Sequence, residues 1–336
     1  MNFLSRLKEF IFGRQINIEH HELQSFPFDV LGTKEAKQFF YKSDSVLCIK
    51  NETILDKFKH APKKSYGYLD TLFKMSWAKH WAQISSKEMR VSTSDHFILM
   101  SYDDQNRNEL LLKYAEKSLD RIYECLDGVL RKDCGKILIF HVNVDDYYTL
   151  EDSFERPESD EGVSSGGMFV RGVVPYMIFH SEPGFDLPDI TLVHELTHAL
   201  LTDNDLPMWL DEALACTMEK TITGECCYDW SLENGLKNID YWGFETIQKF
   251  WVGESFKRSE SQEFSYLLAQ GLFNVIVKDY KDEFRTFIRH AKRYDAGESA
   301  ALKYLGVSLG EIANRYLGEG PWQPSENYLK LFYNQE

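Results

Sequence analysis

The first apolar pattern along the chain is Phe3, Leu4, Leu7, Phe10 and Ile11, which share one helical face while Arg6, Lys8, Glu9 and Arg14 fall elsewhere. Such a stripe serves either a terminal helix docked on its own domain or one that meets a partner or a membrane surface. Residues 3–11 are therefore a candidate contact. Residues 1–90 then scatter aromatics (Phe39, Phe40, Tyr41, Tyr66, Tyr68, Phe73, Trp77, Trp81) among charges, and are expected to be a mainly helical region of unassigned role.

From about 95 the pattern sharpens. His96–Met100 (HFILM) reads as a strand, and Leu111, Ala115, Leu119, Ile122 and Leu126 mark one face of a helix over about 108–127 that ends at Gly128. Ile137–Val142 is apolar on both faces, which predicts a central strand. An acidic stretch follows (Glu151, Asp152, Glu155, Glu158, Asp160, Glu161), closing in Ser164-Ser165-Gly166-Gly167, and its length marks it as a lid or an insertion. Met168–His180 reads as extended chain interrupted near Pro175. Beyond Pro188 the periodicity is helical, with a capping box at Ser308-x-x-Glu311. The expected fold is α+β: a small mixed sheet and a mostly helical C-terminal half over 91–336, preceded by the 1–90 region.

Composition narrows the picture. Of 336 residues, 43% are hydrophobic and 14% aromatic, which supports a packed core and argues against disorder. No run approaches the ~20 apolar residues of a membrane span, so no integral membrane segment is expected. The net charge is −15 and no Lys/Arg block is present, which excludes nucleic acid as an expected partner. The six cysteines form no CxxC pair, and Cys226 and Cys227 are adjacent, an awkward disulfide. Scattered thiols, with no secretory pattern over Met1–Arg14, lead to the expectation of a reduced, cytoplasmic protein.

The chemistry concentrates in Leu192-Val-His-Glu-Leu-Thr-His-Ala-Leu-Leu201. His194 and His198 are four residues apart, so on a helix both imidazoles project from one face and can grip one ion. Glu195 is turned about 100° round the axis, beside the ion, where it can take a proton from water. The rest of the helix is almost wholly apolar, and buried polar groups need partners. A catalytic zinc takes three protein ligands. A third histidine at 204 is ruled out, because Leu201 and Asn204 stand where Gly and His would be needed. Asp203 and Asp205 lie just past the helix, but Asp205 reads better as the N-cap ahead of Leu206-Pro207. The segment Pro207-Met-Trp-Leu-Asp-Glu-Ala-Leu-Ala215 can bring in a carboxylate on a second helix: Glu212, with Asp211 as runner-up.

These two runs, His-Glu-Leu-Thr-His and Leu-Pro-Met-Trp-Leu-Asp-Glu-Ala-Leu-Ala, resemble the gluzincin metallopeptidases, closest to the peptidase MA-like group. The resemblance covers about 96–311 and implies a zincin-like domain, a zinc ion held by His194, His198 and Glu212, Glu195 as general base, and a peptide or protein substrate. Three departures stand out. Only 13 residues separate His198 from Glu212, Ala213 replaces the usual Gly, and Cys216 stands where thermolysin-like enzymes place an Asp behind a zinc-bound His. Support for that histidine must therefore come from elsewhere. Ser164–Met168 carries no acidic residue to hold a free N-terminus, which argues against a strict aminopeptidase.

Hydrolysis also needs a donor to the developing oxyanion. Tyr266 resembles the tyrosine that the family presents from a downstream helix, with Tyr241 and Tyr176 as substitutes. Met168–Val174 is a candidate edge strand for an extended substrate. His180 reads as a strand-end residue and His141 as a hydrogen-bonded core histidine. Two other functions use the same residues: hydrolysis of a non-peptide amide, and a non-catalytic interaction module stabilised by zinc.

Overall fold

A computed structural model describes residues 16–21, 40–43, 46–49, 56, 59–60, 66–85, 88–130, 135–151, 166–171, 174–180, 189–226, 228 and 239–333. The stripe at 3–11 and all but Glu151 of the acidic stretch lie outside them. Packing divides the chain into two compact units, one drawn from 1–122, 131–155 and 165–199, the other from 123–130, 156–164 and 200–336.

The first unit is built on a six-stranded mixed sheet. Its strands are β1 (Glu19–His21), β4 (Arg90–Thr93), β5 (Phe97–Ser101), β6 (Ile137–Val142), β7 (Gly167–Val170) and β8 (Tyr176–His180), in the order β1-β4-β5-β6-β8-β7. β5, β6 and β8 run parallel, with Leu99 opposite Ile139 and Ile139 opposite Met177. The outer pairs are antiparallel. Parallel neighbours need a crossover, and the helix α2 (Gln105–Cys125) supplies the one between β5 and β6. Every residue of β6 is buried, as its continuous apolar run predicts. Leu138, Phe140 and Val142 share a core with Phe73, Trp77, Ala78 and Trp81 of the helix α1 (Tyr66–Ile84). Burying a side chain of this size contributes roughly 1.5–3 kcal/mol.

Among the described residues of the 1–90 region, helix is joined by strands that the sequence pattern did not predict. Besides α1 it holds β1 and an antiparallel pair, β2 (Phe40–Ser43) and β3 (Val46–Ile49). Two aromatic or β-branched runs separated by Asp44-Ser45 are a hairpin signal that the aromatic scatter obscured.

Beyond a short helix, α3 (Val144–Glu151), the chain runs through β7 and β8 to α4 (Asp189–Leu201) and α5 (Met208–Thr223). The helices of the C-terminal half include α6 (Phe244–Trp251), α7 (Ser259–Asp279), α8 (Phe284–His290) and α9 (Leu309–Leu317). The start of α5 is anchored through Trp209, fully buried against the rings of Phe250, Trp251 and Phe287, with its Nε1 donating to Ala296 O at 2.9 Å. α9 begins at the predicted capping box: Ser308 Oγ accepts from Glu311 N at 3.1 Å, and Glu311 Oε2 accepts from Ser308 N at 2.8 Å. Asp205 corrects the reading of it as an N-cap. Pro207, with φ −61° and ψ 142°, flanks α5, while Asp205 closes the preceding 3-10 turn in the left-handed region at φ 48°. Aspartate tolerates that conformation, and its backbone oxygen accepts from Arg293 N at 3.0 Å.

Candidate metal centre

α4 carries His194, Glu195 and His198. Leu192, Val193, Leu196 and Leu201 pack its sides, and Glu195 and His198 are buried with them, only 7% and 8% exposed. Helical spacing stacks the two imidazoles, with ring centroids 4.7 Å apart and planes at 75°. Their Nε2 atoms are 3.0 Å from each other. Two nitrogens held ~2.0–2.1 Å from one tetrahedral zinc would stand roughly 3.3 Å apart. Only small rotations separate the observed rings from that geometry.

α5 supplies the carboxylate. Ligand atoms of His194, His198 and Glu212 all lie within 4.8 Å of one another, and Glu212 is buried at 7% exposure. Asp203, Asp205 and Asp211 belong to no such group among the described residues. Two imidazoles and a carboxylate are the donor set that zinc accepts, and a fourth coordination position remains for water or substrate. The residues fit the ion.

A second group shares His194 with Cys216 and Glu219, again within 4.8 Å. Glu212, Cys216 and Glu219 are spaced i, i+4, i+7, one stripe along α5. Glu219, fully buried, was missed in the sequence reading, although that spacing points to it. It puts a carboxylate near His194 on the stripe where Cys216 removes the expected Asp. The Cys216 thiol is pushed well above its usual range, first by its hydrogen bond with Cys226, then by burial and the charges of Glu219 and Glu212. The group ending in Glu212 offers the two imidazoles and one carboxylate of a known catalytic zinc set, so it is the stronger of the two.

Tyr266 sits half-buried on α7, the helix that packs along α5. Its ring stacks on Tyr228 at 4.4 Å and 12°, and Phe256 meets it edge-on at 5.4 Å. Tyr241 stacks on Phe264 instead. Tyr176 is fully buried in the sheet core against Phe140 and Trp77, a packing role. His180 ends β8 with its ring 4.7 Å from Tyr147. His141, 4% exposed, bonds Asp103 Oδ2 at 2.6 Å, the core arrangement its strand position suggested. β7 is the edge strand of the sheet and abuts α4: a Cβ on Gly167 would meet Thr191 Cγ2 at 2.8 Å and the Phe179 ring at 2.5 Å.

No helix among the described residues is long and apolar enough to cross a membrane. No family model, curated protein or solved structure matches the chain.

Proposed function

We propose that this chain is a zinc-dependent peptidase of gluzincin type, and the observation that carries the reading is the convergence of His194, His198 and Glu212 beside Glu195. Zinc held by these three groups supplies Lewis acidity toward a carbonyl oxygen and makes water acidic enough to lose a proton near neutral pH. Glu195, on the same helix and one residue past His194, accepts the proton of the attacking water and passes it to the departing amine nitrogen. Its low exposure keeps bulk water from competing for that proton. Tyr266 donates a hydrogen bond to the oxygen that gains charge. Glu219, gathered with His194 within 4.8 Å, is the carboxylate that would support that metal-binding imidazole.

The edge position of β7, tight against α4, favours a peptide over other amides. An extended chain can add to β7 as a further strand, its main-chain groups pairing while its side chains alternate. The experiment is a comparison of zinc-loaded wild type with Glu195→Gln on an unfolded protein substrate. Zinc content should be unchanged while turnover falls ~10²–10⁴-fold, the usual value of a general base. An equal rate in the variant rejects Glu195 as the base. No cleavage by wild type across a peptide library rejects the peptidase.

A further inference from the structure

The chain carries a net charge of −15, yet its segment Phe284–Tyr294 holds four Arg or Lys and no Asp or Glu. α8 makes up most of that segment. It buries Phe287, against the ring of Trp209, and Ile288, and leaves Arg285 and Arg289, four residues apart and so on one face, exposed. The turn Ala301–Leu305 packs beside α8, with the rings of Tyr304 and His290 4.4 Å apart. That turn adds Lys303, whose Nζ lies 4.9 Å from the centre of the Tyr304 ring.

What these cations bond is neutral. Arg285 donates to Cys125 O at 3.5 Å, Arg289 to Thr286 Oγ1 at 3.1 Å and Lys292 to Asn204 O at 3.4 Å. Among the described residues no carboxylate pairs with any of the three or with Lys303, and only Arg293 in the segment meets one, Asp205 Oδ1 at 3.9 Å. Elsewhere Lys113, Arg258 and Arg315 face Glu109, Glu254 and Asp279. The acids between the two basic segments are spent on the backbone: Asp295 accepts from Gly297 N at 3.0 Å and Ser299 N at 3.1 Å, and Glu298 from Leu309 N at 2.8 Å. Two large apolar side chains stand next to the cations in sequence and stay in solvent: Tyr294, 64% exposed, after Arg293, and Leu302, 53% exposed, before Lys303.

We propose that this surface of the second unit docks on a bilayer that carries anionic phospholipid headgroups. Charge is screened over about 8–10 Å in physiological salt, so a local excess of cations attracts an anionic surface even on a chain that is acidic as a whole. Phosphate and carboxylate oxygens of the headgroups complement the guanidinium forks of Arg285 and Arg289. An acidic polypeptide would satisfy those charges too, but it offers no apolar depth. A bilayer takes the phenol of Tyr294 among its headgroups and the side chain of Leu302 just below them. The contact is peripheral and reversible, and it uses no residue of the candidate metal centre.

Cosedimentation of the full chain with lipid vesicles is the test, and it needs neither zinc nor substrate, so its outcome is independent of the peptidase reading. Vesicles of phosphatidylcholine with about one-third phosphatidylserine should bind the protein, and vesicles of phosphatidylcholine alone should not. Each cation near such a surface is worth roughly fivefold in affinity, so Arg289→Gln with Lys303→Gln should weaken binding roughly 25-fold. Lys113→Gln with Arg315→Gln changes the net charge equally, at cations already facing carboxylates, and should keep binding within about twofold. Raising salt from ~0.1 M to ~1 M, which shortens the screening length from about 10 Å to about 3 Å, should abolish binding. Leu302→Ser should weaken it at least about threefold, the worth of one buried methylene. Circular dichroism checks that each variant is folded. Equal sedimentation with neutral and anionic vesicles, none with either, or equal loss in both charge pairs overturns the proposal. So does full binding by the Arg289 and Lys303 variant, which would put any lipid contact elsewhere on the chain. Displacement of the vesicles by soluble polyglutamate, with Leu302→Ser binding like wild type, would make this a site for an acidic protein and overturns the membrane.

Discussion

The described chain contains two kinds of histidine cluster, and they are organised in opposite ways. In and beside the sheet, two imidazoles each meet a carboxylate that complements them: His141 Nδ1 lies 2.6 Å from Asp103, and His96 Nδ1 lies 2.7 Å from Glu116, whose other oxygen accepts from His96 N. On α4, the two histidines meet each other, Nε2 to Nε2 at 3.0 Å, with Glu212 converging on the same point. A proton on one nitrogen can bridge the pair, but a cation satisfies both nitrogens and the carboxylate together. A donor facing an acceptor is a finished interaction. Acceptors gathered round one point form an arrangement that a cation would complete. That contrast, more than burial or residue type, separates a structural histidine from a candidate ligand.

The sharpest way to break it is to remove one imidazole from each cluster. His194→Ala should take bound zinc from near one equivalent to near zero, read by metal analysis of protein dialysed against a weak chelator, with little loss of fold. His141→Ala should keep its zinc and lose about 1–3 kcal/mol of stability, because Asp103 loses the hydrogen bond that does most to offset its burial. Equal zinc content in both variants would place the ion elsewhere.

Much of this contrast was legible in the sequence. The spacing of His194 and His198 and the apolar run around them fixed a helical pair with one buried polar face, because a period of four residues has one structural meaning there. β5, β6 and α2 emerged within a few residues of their observed bounds, since continuous apolar runs and a clean amphipathic stripe have few alternative readings. Glu212 was reachable from its helix. Glu219 lies on the same i, i+4, i+7 stripe, but a carboxylate two turns away gains meaning only once the helix has been set beside His194. The hairpin β2–β3 escaped because helix and strand signals overlap in short aromatic runs. Asp205 misled for a physical reason: an aspartate before Leu-Pro suits both an N-cap and a left-handed turn, and only backbone angles distinguish the two.

A second comparison turns on sign. Glu116 is 1% exposed and complements His96 by two bonds, so Glu116→Gln should lower stability by about 1–3 kcal/mol. Glu212, 7% exposed, shares its stripe with the fully buried Glu219 and lies within 4.8 Å of His194 and His198, a group that could hold a metal ion. Glu212→Gln should therefore leave the unfolding temperature of zinc-free protein unchanged or raise it. Its zinc affinity should fall by ~100-fold or more, beyond the ~10–100-fold that supporting residues alone account for. Calorimetry in chelator, then with zinc, reads both. Equal destabilisation by the two substitutions without zinc would make Glu212 another structural carboxylate.

The smallest effect concerns pH. Burial pushes the Asp103 carboxyl up, but the hydrogen bond and charge of His141, with the charges of Arg107 and Arg90, outweigh it and hold the group below the ordinary aspartate value of 3.8. A carboxyl with a depressed pKa in the folded state binds its proton less readily than the unfolded chain does. Its contribution to stability is complete above the ordinary value and is lost as pH falls through the lower, folded one. The stability difference between wild type and Asp103→Asn should thus shrink toward zero as pH falls below about 4. Denaturant unfolding at a series of pH values measures that difference, and zinc content, read in parallel near neutral pH, should match in the two proteins. A difference that grows as the solution is acidified would mean that Asp103 is protonated more easily in the folded protein, and the His141 pair would then lose its standing as the finished counterpart of the metal cluster.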